Sequence, residues 1–316
     1  MKRDLLSLRD LSFEEIGILL LRAMDLKEEL RKEILHPRLK GKTLGLLFEK
    51  ASTRTRVSFE VAMAQLGGHS IFLSAYDIQL TRGETIRDTA RVLSSYIDGL
   101  VIRTFAQSVV EEWARFATIP IINGLTDLHH PCQILSDLMT ILERRGNLKG
   151  LKLAYVGDGN NVANSLLEGA SKVGMHISIA SPKGYQPKDT IVQSAREEAA
   201  RNGSRIEIVT DPKEAARGAD VLYTDVWVSM GQELEKKNFR EIFAPYQLNR
   251  ELLDLADPQA LVMHCLPAHR DEEITEEVFE SKNSVIFQQA ENRLHIQKAL
   301  LEMLLKKPSR SASGPR

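Results

Sequence analysis

Five consecutive residues, Ser52-Thr53-Arg54-Thr55-Arg56, combine three hydroxyls with two guanidinium groups just after an apolar, β-branched run. A periodic segment follows, so the cluster falls at a helix N-terminus. There the free backbone N–H groups and the helix dipole favour an anion, and arginine grips phosphate oxygens with paired hydrogen bonds. Arg103 ends another apolar run and brings a third positive charge if it faces the same crevice. His129-His130-Pro131-Cys132-Gln133 follows a further run. Pro131 suits a first helical turn, which puts His130 near the N-cap. His130 and Gln133 both have the chemistry to bind a carbonyl or an amide. Adjacent histidines rarely chelate one ion, and no third ligand has suitable spacing, so no metal is expected.

The second half carries another set. Val156-Gly157-Asp158-Gly159-Asn160-Asn161 is a strand followed by G-x-G. Val162 takes the third glycine's place, and Ile179-Ala180-Ser181-Pro182 offers no acid for a ribose hydroxyl, so the dinucleotide reading is weak. Asn160 and Asn161 instead present amides to a small polar molecule. Asp225, four residues before Ser229-Met230-Gly231, suits an ammonium beside a carboxylate. His264-Cys265-Leu266-Pro267 follows another apolar run. A cysteine facing a cationic cleft is a candidate for chemistry, because nearby arginines lower a thiol pKa from its usual value of about 8.5. Arg293 opens a final helical period.

These residues all follow strand-like runs. Such runs are expected over 43–48, 70–74, 100–103 and 120–122, then over 152–156, 177–180, 206–209, 221–224, 261–264 and 285–287. Helical periods lie between them. Ser12 and Glu15 form a capping box that opens the first, one near 131–145 stops at Gly146, and the last covers about 292–305. The alternation predicts an α/β protein with two doubly wound parallel-sheet domains joined by the long helix. Residues 1–145 and 146–290 are the expected domains, and 306–316, basic and rich in Ser, Pro and Gly, reads as a disordered tail.

Composition limits the function classes. The chain has 316 residues, 42 Lys plus Arg against 43 Asp plus Glu, and a net charge of −1, so no global basic excess drives nucleic-acid or membrane binding. Anion binding must come from local placement. Two cysteines make no extracellular disulfide framework, which favours a reducing, cytoplasmic setting. The run Ile16 to Leu21 is too short to span a membrane, and acidic residues precede it.

Together the motifs resemble those of the aspartate/ornithine carbamoyltransferase family. S-T-R-T-R at 52–56 and H-P-C-Q at 130–133 are similar to its carbamoyl-phosphate signatures. S-M-G at 229–231 and H-C-L-P at 264–267 resemble the ornithine-using branch. Ala51 departs from a common proline and Thr81 from a common glycine. The resemblance implies that residues 1–145 bind carbamoyl phosphate, with the 292–305 helix returning to them, and that 146–290 bind ornithine. It implies carbamoyl transfer to the side-chain amine of L-ornithine, giving L-citrulline and phosphate, without a cofactor. It places Ser52, Thr53, Arg54, Thr55, Gln79, Arg103, His130, Gln133, Cys265, Leu266 and Arg293 around carbamoyl phosphate. It places Asn161, Asp225, Ser229 and Met230 around ornithine, with Cys265, Arg103 and His130 as catalytic groups. Gln79 would come from a neighbouring subunit of a homotrimer, or of a multiple of trimers. The competing expectations are a nicotinamide oxidoreductase, a sibling carbamoyltransferase using aspartate, putrescine or an acylated ornithine, and a non-catalytic scaffold.

Overall fold

The computed structural model describes residues 2–74, 83–227 and 236–306. The first half runs α1 (Phe13–Arg31), β1 (Thr43–Phe48), α2 (Thr53–Gln65), β2 (His69–Ser74), α3 (Ile86–Tyr96), β3 (Gly99–Arg103), α4 (Gln107–Phe116) and β4 (Ile121–Leu125). α5 (Pro131–Arg145) leads into the second half. That half runs β5 (Lys152–Val156), α6 (Asn161–Val173), β6 (His176–Ala180), α7 (Asp189–Asn202), β7 (Ile206–Val209), α8 (Pro212–Ala216) and β8 (Val221–Thr224). It continues through α9 (Lys236–Phe243), α10 (Arg250–Leu255), β9 (Leu261–His264), α11 (Glu276–Phe279) and α12 (Ile286–Leu305).

Local chemistry sets several boundaries. Ser12 and Glu15 close the reciprocal capping box that starts α1. Ser52 Oγ accepts the Thr55 N–H and starts α2. Pro131 fills the first turn of α5, and Gly146, at φ 76°, ends it in the left-handed region. β1, β3, β5, β8 and β9 are almost wholly buried apolar runs, as parallel strands covered on both faces require.

Both sheets are parallel, in the orders β2-β1-β3-β4 and β7-β6-β5-β8-β9. Each order reverses once, between β1 and β3 and between β5 and β8. At those points neighbouring crossovers leave to opposite sides and open a crevice beyond the strands' carboxyl ends.

One expected strand is a helix. At 285–287 only a single bridge forms, Val262 against Ser284, with the Val285 N–H donating to Val262 O. α12 then starts at Ile286, earlier than the expected 292. Ile286 is buried and Phe287 is 63% exposed, so a short apolar run that fits a strand is the first turn of an amphipathic helix. Arg293 therefore sits two turns inside α12.

α12 packs against α1, α2 and α5 and so returns to the first half. α5 is buried throughout residues 131–141, although it carries Gln133, Ser136, Asp137 and Thr140 there. Buried polar groups need partners, and α12 and the second sheet supply them. Asp137 accepts from Gln133 Nε2 at 2.9 Å, Gln289 Nε2 at 2.8 Å and the Tyr223 hydroxyl at 3.0 Å. Gln289 Oε1 accepts the His264 N–H at 3.0 Å, and the Ser136 hydroxyl donates to Gln289 O at 2.8 Å. Burial holds the Asp137 carboxyl up at about 7 even though those donors pull it down. Replacing Gln289 with Leu orphans the His264 N–H and removes a donor from Asp137. The expected cost is about 1–3 kcal/mol, read as a lower unfolding temperature in scanning calorimetry. An unchanged temperature would contradict this role for the network.

Candidate functional site

The crevices of the two sheets merge into one cavity of about 680 Å³. The first sheet contributes the segment after β1, including Ser52, Thr53 and Arg54, and Arg103 at the end of β3. His130 caps α5, and Arg293 reaches in from α12. The second sheet contributes Asp158, Asn160 and Asn161 after β5, Asp225 after β8, and Cys265 and Leu266 after β9. The described residues thus bring together Ser52, Thr53, Arg54, Arg103, His130, Asn161, Asp225, Cys265, Leu266 and Arg293. Thr55 and Gln133 lie behind them, holding Arg293. Gln79, Thr81, Ser229 and Met230, and the tail from 307 onward, lie outside the described residues.

The cationic wall is tightly built. Arg293, 4% exposed, donates from Nη2 to Thr55 Oγ1 at 2.9 Å and from Nη1 to Gln133 Oε1 at 3.1 Å. Arg103, 7% exposed, has no side-chain hydrogen bond or ion pair among the described residues. Its guanidinium is pushed down to about 10, chiefly by burial and then by Arg293 and Arg54, yet it stays charged at neutral pH. Burial, Arg293 and Arg103 hold the His130 imidazole well below its ordinary value, so it is neutral, with Nδ1 unpartnered among the described residues. Arg56 differs from expectation. Its Nε binds Glu60 at 3.0 Å and its guanidinium stacks 3.9 Å from the Phe72 ring centroid, so one face of α2 takes it away from the cleft.

The opposite wall is acidic. Asp225, 6% exposed, accepts from Asn160 Nδ2 at 2.9 Å, from the Val226 N–H at 2.8 Å and from Cys265 Sγ at 3.0 Å. The expectation that arginines lower the Cys265 pKa is therefore corrected. Burial, then the Asp225 charge and its hydrogen bond, raise it well above the ordinary thiol value, and Arg293 offsets only part of this. Cys265 is a thiol that donates to a carboxylate. Cys132 is buried against Asn123 O and is pushed up to about 12. Asp225, His264 and Cys265 converge, but both ring nitrogens of His264 are engaged, Nδ1 by the Leu266 N–H at 2.9 Å and Nε2 by Glu273 at 3.1 Å.

α6 locks the walls together. Asn161 Nδ2 donates to Thr126 O at 2.6 Å, Ser165 Oγ accepts the His130 N–H at 2.8 Å, and Asn164 Nδ2 donates to Leu128 O at 3.3 Å. The Asn161 amide is thus anchored to the floor of the cavity that it lines. The two glycines of G-x-G also have structural reasons. Gly157 has φ 142°, and a Cβ on Gly159 would meet the backbone at Pro187 at 2.2 Å. Gly159 is packed by protein, so this turn gives no support to a dinucleotide phosphate.

Lys50, Phe105, Asp127 and Asp158 also line the cavity and were absent from the expected set. Lys50 pairs with Asp127 and lies 4.3 Å from the Phe105 ring centroid. All four follow strand ends, which is the one signal that marks them in the sequence.

The chain matches two family descriptions. Residues 3–143 match "Aspartate/ornithine carbamoyltransferase, carbamoyl-P binding domain", and 149–304 match "Asp/Orn binding domain" of the same family. It belongs to the aspartate/ornithine carbamoyltransferase family. It is 57% identical over 303 residues to the ornithine carbamoyltransferase of Anoxybacillus flavithermus, covering 96% of each chain. It is 56% identical over 305 residues to that of Bacillus subtilis, covering 96% of this chain and 94% of that protein. The structure of ornithine carbamoyltransferase from Pyrococcus furiosus superposes with a TM-score of 0.95 at 51% identity, over 98% of both chains.

The raised Cys265 pKa sets a testable reactivity, since only thiolate alkylates readily. Iodoacetamide should modify Cys265 slowly at neutral pH and faster as pH rises past about 9, with Cys132 untouched in the folded protein. A rate that levels off below about pH 8, measured by intact-mass spectrometry, would mean a depressed thiol instead.

Proposed function

We propose that this chain transfers the carbamoyl group of carbamoyl phosphate to the side-chain amine of L-ornithine, giving L-citrulline and phosphate. The observation that carries the proposal is the buried Arg103, which lies with Arg54 and Arg293 around one cavity and has no side-chain partner among the described residues. A compact dianion is the ligand such a site lacks. Arg54, Ser52, Thr53 and the α2 N-terminus hold its phosphate. Arg103 bridges phosphate and carbonyl, and neutral His130 binds the carbamoyl group.

The amine arrives as ammonium. Removing its proton at pH 7 costs roughly 4–5 kcal/mol from a pKa of about 10.4. The Cys265 thiol, held by its hydrogen bond to Asp225, faces it as positioner because it already carries its proton. The ammonium's first proton leaves to solvent; the amine lone pair then attacks the carbonyl carbon, and the oxygen gains charge beside Arg103 and His130, where one donor is worth about 3–4 kcal/mol. The carbon–oxygen bond to phosphate breaks, and phosphate takes the remaining proton. Bringing the two substrates together supplies about 7–11 kcal/mol more through orientation.

Asn161 and Asp225, with Ser229 and Met230, hold the amino-acid end, and Leu266 completes the carbamoyl site. The division near 146 separates the lobe for each substrate. Gln79 of a neighbouring copy completes the site in a homotrimer or a multiple of trimers. The protein works in the cytoplasm and without a cofactor. Among the described residues, no helix is long and apolar enough to cross a membrane.

A substrate panel tests the proposal. Carbamoyl phosphate is offered with ornithine, lysine, putrescine, aspartate or acetylornithine. Ornithine should lead lysine by at least about tenfold in kcat/KM, the least that one methylene gives. Carbamoylation of aspartate or acetylornithine in preference to ornithine would overturn it.

A further inference from the structure

Ornithine enters with two ammonium groups and one carboxylate, so its pocket needs more than one negative group. Three described carboxylates line the cavity: Asp127, Asp158 and Asp225. Asp127 is paired with Lys50. Asp225 already accepts from the Asn160 amide, the Val226 N–H and the Cys265 thiol, which leaves about one of a carboxylate's four acceptor sites. Asp158 is different. The neighbouring Gly159 N–H donates to Tyr185 O at 2.7 Å, and the Asp158 carboxylate is half-buried at the cavity wall. No side chain among the described residues donates to it.

The surroundings of Asp158 suit a cation. Asp225, after β8, lies close enough to repel its charge, and together with burial pushes its carboxyl up to about 7. From β5, the Tyr155 hydroxyl donates to the Asp158 carbonyl oxygen at 2.8 Å and fixes the turn without neutralising the side chain. The arginines stand on the facing wall and serve the phosphate. Two carboxylates thus line the same cavity, and neither has an ion-pair partner among the described residues.

We infer that Asp158 is a second specificity-determining carboxylate of the ornithine pocket, binding one substrate ammonium group while Asp225 faces the other. This rests on the carbamoyl-transfer reading and adds a residue to it. An arriving ammonium relieves the repulsion between the two acids and favours the ionised form of Asp158. Substrates with one amine fewer use only one of the two acids, so the pair selects for a diamino acid.

Asp158→Asn and Asp158→Glu, measured by steady-state citrulline formation, test this in the full-length enzyme. The Asn variant should raise the ornithine KM at least tenfold while carbamoyl-phosphate affinity by calorimetry stays within about twofold. The wild type should lose kcat/KM for ornithine as pH falls below about 7, where the Asp158 carboxyl, raised by burial and then by Asp225, protonates, and the Asn variant should flatten that limb. The Glu variant should recover part of the ornithine affinity. An unchanged ornithine KM and pH profile in the Asn variant would overturn the inference. So would parallel losses of both substrates, which mark a scaffold residue. Citrulline formation by the wild-type enzyme reports separately on the underlying reading, so the two can fail independently.

Discussion

Two nearly buried guanidinium groups, Arg103 and Arg293, with Arg54 beside them, are the constraint on which this structure depends. Like charges repel, and removing them from water is costly unless each finds a counter-charge. Arg293 is held by Thr55 and Gln133, both neutral, and Arg103 has no side-chain partner among the described residues. The helices behind the cleft follow from that constraint. α5 offers Gln133 from a helix buried on every side, and α12 returns from the far end of the chain to deliver Arg293. The polar network of Asp137, Gln289 and Tyr223 ties α5 and α12 to the second sheet. An arrangement that is poor for stability without a ligand is well prepared for an anion.

The cleft is electrically divided. Its cations come from the first sheet and α12, and its unshielded carboxylates from the second sheet. Parallel sheets explain the division, because each presents its carboxyl ends and its own crevice to the same space. An anionic acyl donor and a cationic amine are thereby sorted to opposite walls before they meet. The hydrogen bonds from Asn161, Ser165 and Asn164 to the 126–130 segment hold the walls in register.

Most of the architecture was legible because parallel strands read as short apolar runs and the helices carry explicit caps, such as Ser12–Glu15 and Gly146. The segment 285–287 was misread because three apolar residues satisfy either period; only burial of Ile286 with exposure of Phe287 separates them. Most of the site followed from asking what sits after each strand. That same question, pressed further, reaches Lys50, Asp127 and Asp158. The Cys265 environment was not legible. Separation in sequence does not rank the arginines against Asp225, whereas the fold sets Asp225 at 3.0 Å and reverses the sign of the pKa shift. Arg56 was misassigned for a related reason, since adjacent helical residues point about 100° apart, and Glu60 and Phe72 claim it.

The most direct test of the central claim is isothermal titration of carbamoyl phosphate into the wild-type protein and an Arg103→Met variant that keeps its bulk and loses its charge. The account predicts saturable binding to the wild type, at one molecule per chain, and a loss of at least about a hundredfold in the folded variant, as expected for a desolvated charge-assisted contact. Equal affinity in the two proteins would contradict it.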